Sequence, residues 1–165
     1  MAKRFTREEI KQRFQASIDA GQPIVVASAG IGIAAKFAER GGADMIGLFN
    51  SSYLGLGRVE ATSLMPYGNA NDIVMSLGDR IFPVVQNTPI LGGIIGSDPT
   101  REMTPFLKIM QFKGFPAVIN FPSPGFAYGQ HRRNLERNNY GVQQELKTLR
   151  TAKELGFYTF GLAYD

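Results

Sequence analysis

Residues 24–49, IVVASAGIGIAAKFAERGGADMIGLF, read as a strand, a helix and a second strand. Ile24-Val25-Val26-Ala27-Ser28 is a short apolar run of the buried-strand type. Ala29-Gly30-Ile31-Gly32 makes the turn, and the helix behind it carries Ile33, Phe37 and Ala38 on one side until Gly41-Gly42 ends it. Residues 45–49 form the next strand, which stops at Asn50-Ser51-Ser52. Two strands joined through a helix predict parallel pairing, because parallel neighbours need a long crossover.

The same unit recurs outward from this stretch. Upstream, residues 6–20 predict an amphipathic helix: Thr6 and Glu9 make a capping box, Ile10, Phe14 and Ile18 recur every four residues, and Gly21 supplies the stop. Downstream, a long loop with Gly55, Gly57, Pro66 and Gly68 leads to Asn69, an expected N-cap with Asp72 in the first turn. Ile73, Leu77 and Ile81 share one face of that helix, and Pro83 is expected to kink it near its end. A third strand spans 89–95 and breaks at Gly96-Ser97-Asp98-Pro99, and Met103, Phe106, Leu107 and Met110 then form a helical stripe. A fourth strand at 117–121 is closed by Pro122-Ser123-Pro124-Gly125, with a loop reaching about Arg133. Val142, Leu146 and Leu149 mark another helix ended by Gly156, and 158–163 is the fifth strand.

Five short apolar strands separated by helices fit an open doubly wound sheet or part of a (β/α)8 TIM barrel. Five-eighths of a typical ~250-residue barrel is about 156 residues, so the 165 residues favour the barrel. The expectation is one α/β domain over 1–165: a leading helix and the first five strands of a truncated TIM barrel, with three more βα units beyond Asp165.

The chain has neither a disulfide framework nor a thiolate metal site, having no Cys, and its single histidine, His131, rules out a multi-His centre. A net charge of +4 suits an anionic ligand. Nucleic acid is not expected, for no alternating basic–aromatic surface is seen. Residues 1–21 are charged throughout, unlike a signal peptide, and no window is long enough to span a membrane. A cytoplasmic location without membrane partners is expected, and the open strand edge points to a homo-oligomer.

In either parallel architecture ligands meet the carboxyl ends of strands. Those ends collect Ser28, Gly30 and Gly32; Asn50, Ser51 and Ser52; Gly96 and Asp98; Asn120 and Ser123; and Tyr164 and Asp165. Hydroxyls, amides and bare backbone suit a small polar or phosphorylated metabolite. Gly30 and Gly32 would admit an anion to the following helix or simply make a tight turn. Asp98 would hold a divalent metal, serve as general acid or base, or cap a helix before Pro99. Asn50 and Asn120 would bond a ligand carbonyl or tie down their own loops. His131, Arg132, Arg133 and Arg137 would clamp a phosphate or form a solvated helix face, with Phe126 and Tyr128 supporting a lid.

Gln22-Pro23-Ile24 through Lys36 and Glu39 through Asp44 resemble the phosphoenolpyruvate hydrolase-like family, also called TIM-barrel signal transduction proteins. Phe49-Asn50-Ser51, Leu64-Met65-Pro66-Tyr67-Gly68-Asn69-Ala70-Asn71, Gly96-Ser97-Asp98-Pro99, Asn120-Phe121-Pro122 and Asn134-Leu135-Glu136 agree as well. The resemblance implies a TIM barrel related in plan to isocitrate lyase and phosphoenolpyruvate mutase, which use a divalent metal such as magnesium to stabilise enolates of small oxoacids. It would make Asp98 a catalytic base or metal ligand and have Asn50 and Asn120 position the substrate. Ser28, Gly30, Gly32, Ser51, Tyr67, Gly68, Asn69 and Gly96 would bind it. The multiple-carboxylate motif of those relatives is missing, Gly92-Gly93-Ile94-Ile95 carrying no acid. Two functions follow: an enzyme hydrolysing or cleaving a phosphorylated or 2-oxo acid, and a ligand-sensing or signal-transduction barrel without chemistry, the latter suggested by the few titratable groups.

Overall fold

A computed structural model describes residues 3–54 and 68–164; Gly55, Gly57, Pro66, Tyr67 and Asp165 therefore lie outside the described residues. The element order is α1 (Arg7–Asp19), β1 (Val26–Ser28), α2 (Gly32–Arg40), β2 (Met45–Leu48), α3 (Ala70–Ile81), β3 (Ile90–Ile94), α4 (Met103–Lys113), β4 (Ala117–Asn120), α5 (Gly129–Arg137), α6 (Val142–Glu154) and β5 (Tyr158–Phe160). All neighbouring strands pair in parallel, in the order β1-β2-β3-β4-β5. Sequential order decides between the two architectures. A doubly wound sheet reverses direction at a switch point, whereas a barrel adds each strand beside the last. This is the barrel progression.

Alternation along the strands gives the sheet two apolar faces. Ile46, Leu48, Ile90, Ile94 and Val118 point outward into a core with Ala35, Val74, Leu77, Ile81, Leu107, Met110 and Ala152. Met45, Leu91, Ala117 and Ile119 point inward, where Ile10 and Phe14 of α1 cover them. Arg13 donates to the carbonyls of Asn87 and Ala43, in the turns leading into β3 and β2. α1 thus closes the amino end of the inner face and leaves the carboxyl edge clear.

The pattern on β1 differs from expectation. Ile24, Val25 and Val26 are exposed, Val25 by 48%, and the strand begins only at Val26. An apolar run reads as buried when strands flank it on both sides, and among the described residues β1 has a neighbour on one side only. On α2, Ile33 and Phe37 face outward, while Ala34, Ala35 and Ala38 meet the core. Small side chains bring this helix close to the sheet, and a Cβ on Gly32 would lie 3.3 Å from Val84 Cγ2. Ile18 is exposed although it continues the Ile10–Phe14 stripe. α3 ends at Ile81, so Pro83 lies beyond the helix rather than kinking it.

The fourth crossover contains more helix than expected. A 3-10 turn at Pro124–Phe126 and α5 occupy the region read as loop, since α5 buries no residue and carries no apolar stripe to betray it. α6 keeps only part of the expected Val142–Leu146–Leu149 face: Leu149 packs against the core, whereas the buried residues are Glu145, Thr148 and Ala152 and Leu146 is exposed. β5 stops at Phe160 instead of residue 163, because Leu162 leaves the ladder and bonds both its N–H and its carbonyl to the Asn120 side chain.

Candidate functional site at the carboxyl edge

Parallel pairing places the ends of β1 to β4 on one edge, where buried polar side chains gather: Asn50, Ser51, Ser52, Asn71, Ser97, Asp98, Asn120, Ser123 and Glu145. Ser28 Oγ and Ser52 Oγ lie 2.8 Å apart and join the ends of β1 and β2. Gly30 is buried in the following turn. α2 starts behind Ile31, whose side chain makes no capping bond to the first N–H groups of the helix. Gly32 has a packing reason of its own in the contact with Val84. Gly68 adopts a φ of +141°, a conformation that favours glycine, just ahead of the Asn69 cap.

Asp98 stands at the centre of a network. Its Oδ2 accepts from Asn69 Nδ2 (3.0 Å) and Asn71 Nδ2 (2.9 Å), and lies 2.6 Å from Arg101 Nε. Its Oδ1 accepts from the Thr100 N–H and hydroxyl. Burial on its own would push this carboxyl up; the bonds from Thr100, Asn69 and Asn71 outweigh it and hold the group down to about 2. Asn71 also clamps both the N–H and the carbonyl of Ile95. Asp98 is not the cap of α4, whose N-cap is Glu102. It ties the β3–α4 turn to the start of α3.

A divalent cation fits these donors poorly. Both oxygens of Asp98 are occupied, the Arg101 guanidinium is beside them, and no group of three or more His, Cys, Asp or Glu is gathered among the described residues. Asn120 points to the outer layer, where it bonds Leu162 and Glu145 Oε2, so its amide holds β4 to β5 and α6 instead of facing the barrel axis. Ser123 donates to the same Oε2 and accepts from the Gly125 N–H. Burial pushes the Glu145 carboxyl above its usual range, against the bonds from Ser123 and Asn120.

Among the described residues, clefts flank the edge. One of about 420 Å³ lies between the turns after β3 and β4, lined by Ile95, Pro122, Ser123, Phe126, His131 and Tyr140. Another, about 560 Å³, runs between α4 and α6 past Asp98, Arg101 and Lys147. Of the basic cluster, Arg132 bonds the Gly125 carbonyl and Glu136, and Arg133 bonds Gln130, within and beside α5.

Asn71, Thr100, Arg101 and Glu145 do not emerge as site residues from sequence reasoning. Asn71 lies inside one of the stretches that carry the family resemblance, Leu64 through Asn71, so its signal was present. Glu145 had none, because a charged residue in a helix ordinarily reads as solvated.

The model of the family described as phosphoenolpyruvate hydrolase-like matches residues 9–165. The ToMV susceptible protein tm-1(GCR26) of Solanum lycopersicum is 39% identical over 156 residues, covering 94% of this chain and 21% of its own. The chain thus spans about a fifth of the length of that relative. Among solved structures, tryptophan synthase subunit alpha from Legionella pneumophila str. Paris superposes with a TM-score of 0.56 at 11% identity, covering 94% of this chain and 57% of that one. Phosphoenolpyruvate phosphomutase from Streptomyces platensis subsp. rosaceus gives 0.52 at 16% identity, over 92% and 63%. At such identities these two likenesses speak for the fold. No helix among the described residues is long and apolar enough to cross a membrane.

Proposed function

Because this chain belongs to the phosphoenolpyruvate hydrolase-like family, we propose that its carboxyl edge takes a small phosphorylated or 2-oxo acid and hydrolyses or cleaves it. The observation that carries this reading is the single edge on which parallel pairing collects Ser28, Gly30, Asn50, Ser51 and the Asn69–Asp98 network. The first N–H groups of α2 and the hydroxyl of Ser51 would bind the anion, and Asn50 would orient it. Asp98, ionised and fully bonded, serves to fix Asn69 and Arg101 at the rim; as a base at neutral pH it would be weak. The full-length protein is expected to convert phosphoenolpyruvate or a 2-oxo acid to product followed by NMR. Absence of both turnover and binding would refute the proposal.

A second reading, a metabolite-sensing barrel without chemistry, draws on that same occupancy of Asp98. Calorimetric binding of phosphoenolpyruvate with no product formed would select it.

We also propose that three further βα units close the sheet into an eight-stranded barrel over 1–165 and beyond, because Val25 and Val26 at one edge and Leu162 and Tyr164 by the other are exposed. The 165-residue chain alone is expected to self-associate in sedimentation, and Val25→Lys to weaken that association. A strictly monomeric wild-type chain would contradict this.

A further inference from the structure

Glu145 is fully buried in the first turns of α6, and its two oxygens are treated unequally. Oε2 accepts from Ser123 Oγ at 2.8 Å and from Asn120 Nδ2 at 3.2 Å. Oε1 is buried and meets no hydrogen-bond partner among the described residues. Through these bonds the carboxyl joins four segments. Asn120 ends β4 and holds Leu162 beyond β5. Ser123 caps the Pro124–Phe126 turn by accepting from Gly125 N–H, whose own carbonyl is held by Arg132. The β3–α4 turn presses on the same place, where a Cβ on Gly96 would lie 3.0 Å from the Glu145 Cα.

An ionised carboxylate here would leave one charged oxygen bare in a buried setting, which is far more costly than leaving a neutral group there. Arg132 of α5 favours the charge and Glu136 of the same helix opposes it, and Arg132 is itself shared with Glu136 and the Gly125 carbonyl. From β4 and the turn after it the facing groups are the uncharged Asn120 and Ser123, and His131 of α5 lines the same cleft as Ser123. Across the α4–α6 cleft stand Asp98, Arg101, Glu102 and Lys147, and in β5 Tyr158 is the one ionisable residue.

We propose that Glu145 is a positioning residue that sits in the fold as a neutral carboxylic acid, and that it holds the Ser123–Gly125 turn at the rim of the carboxyl edge by accepting from Ser123 Oγ through Oε2. Ionisation would leave a bare charge on the buried Oε1, and the rearrangement that brings this oxygen a partner would move the turn, so the rim responds to pH. The role given to the turn rests on the proposed binding edge, but the test needs no ligand, so the two readings fail separately.

Glu145→Gln and Glu145→Ala are compared with wild type by thermal melting between pH 4.5 and 8, and the Gly125 amide is followed by NMR over the same range. Burial raises the folded carboxyl above its ordinary 4.5, so the stability it contributes is complete below that value and falls as pH rises through the folded titration. Glutamine, neutral at every pH, is expected to melt no lower than wild type at pH 7 and to lose any advantage toward pH 4.5. The wild-type Gly125 amide is expected to titrate above 4.5, and Glu145→Gln to abolish that titration. A glutamine variant melting below wild type at pH 7, or a Gly125 titration that survives the substitution, would overturn the proposal. Should the alanine variant fail to fold, the glutamine comparison decides alone.

Discussion

Replacing Asp98 by alanine is expected to lower stability by about 3–5 kcal/mol, the cost of removing one partner from a buried ion pair. The Asp98 side chain is 2% exposed and lies 2.6 Å from Arg101 Nε. Alanine would leave that guanidinium, both amides of Asn69 and Asn71, and the Thr100 N–H facing an empty site. Asn71 would then lose hold of Ile95, so the end of β3 and the start of α3 should loosen together. Denaturant unfolding measures the loss, and a change below about 1 kcal/mol would show the network to be peripheral. Acid should act through the same carboxyl. Held at about 2, below its ordinary 3.8, it contributes stability that is in place above pH 4 and is lost as pH falls toward 2. The shift corresponds to about 2 kcal/mol, absent from the acid limb of Asp98→Ala.

Gly93→Val is expected to abolish folding or cost at least about 3 kcal/mol, the upper end of overpacking penalties. A Cβ there would stand 2.7 Å from Phe49 Cδ1 and 2.8 Å from the Phe121 carbonyl oxygen. The carbonyl belongs to the backbone just past β4 and cannot swing aside, while the Phe49 ring is packed edge-on against Phe121 at 5.2 Å between centroids. Gly92 makes the contrast. Its Cβ would approach Met110 Cε at 2.7 Å, the far end of a flexible side chain, and the Phe115 ring at 3.2 Å and 3.3 Å, contacts that need a shift of only a few tenths of an ångström, so Gly92→Ala should cost less, about 1–2 kcal/mol. Soluble yield and denaturant midpoint distinguish the two, and a Gly93→Val protein as stable as wild type would refute the packing described for the inner face.

The parallel sheet was legible because β2, β3 and β4 are uninterrupted apolar runs separated by helices with clear stops, and all three are fully buried. β1 misled because Ile24, Val25 and Val26 carry the composition of an interior strand at a place where the described sheet ends. Ile33 and Phe37 misled for a related reason: apolar spacing finds the largest side chains, whereas α2 approaches the sheet through alanines. Strand ends indicated which residues gather at the carboxyl edge, since pairing direction fixes which loops meet. What the sequence does not reveal is which way a polar residue turns there. Asn120 alternates to the outer layer after the inward Ile119, and Glu145 is inside because α6 buries the line Glu145–Thr148–Ala152 beside Leu149.

If the ends of β1, β2 and β3 form one binding edge for a small acid, titrating phosphoenolpyruvate into the protein should perturb amide chemical shifts grouped at Gly30, Ser51, Asn69 and Gly96. Shifts confined to the opposite end, around Phe5, Phe115 and Phe157 in the small cleft of about 130 Å³, would contradict it.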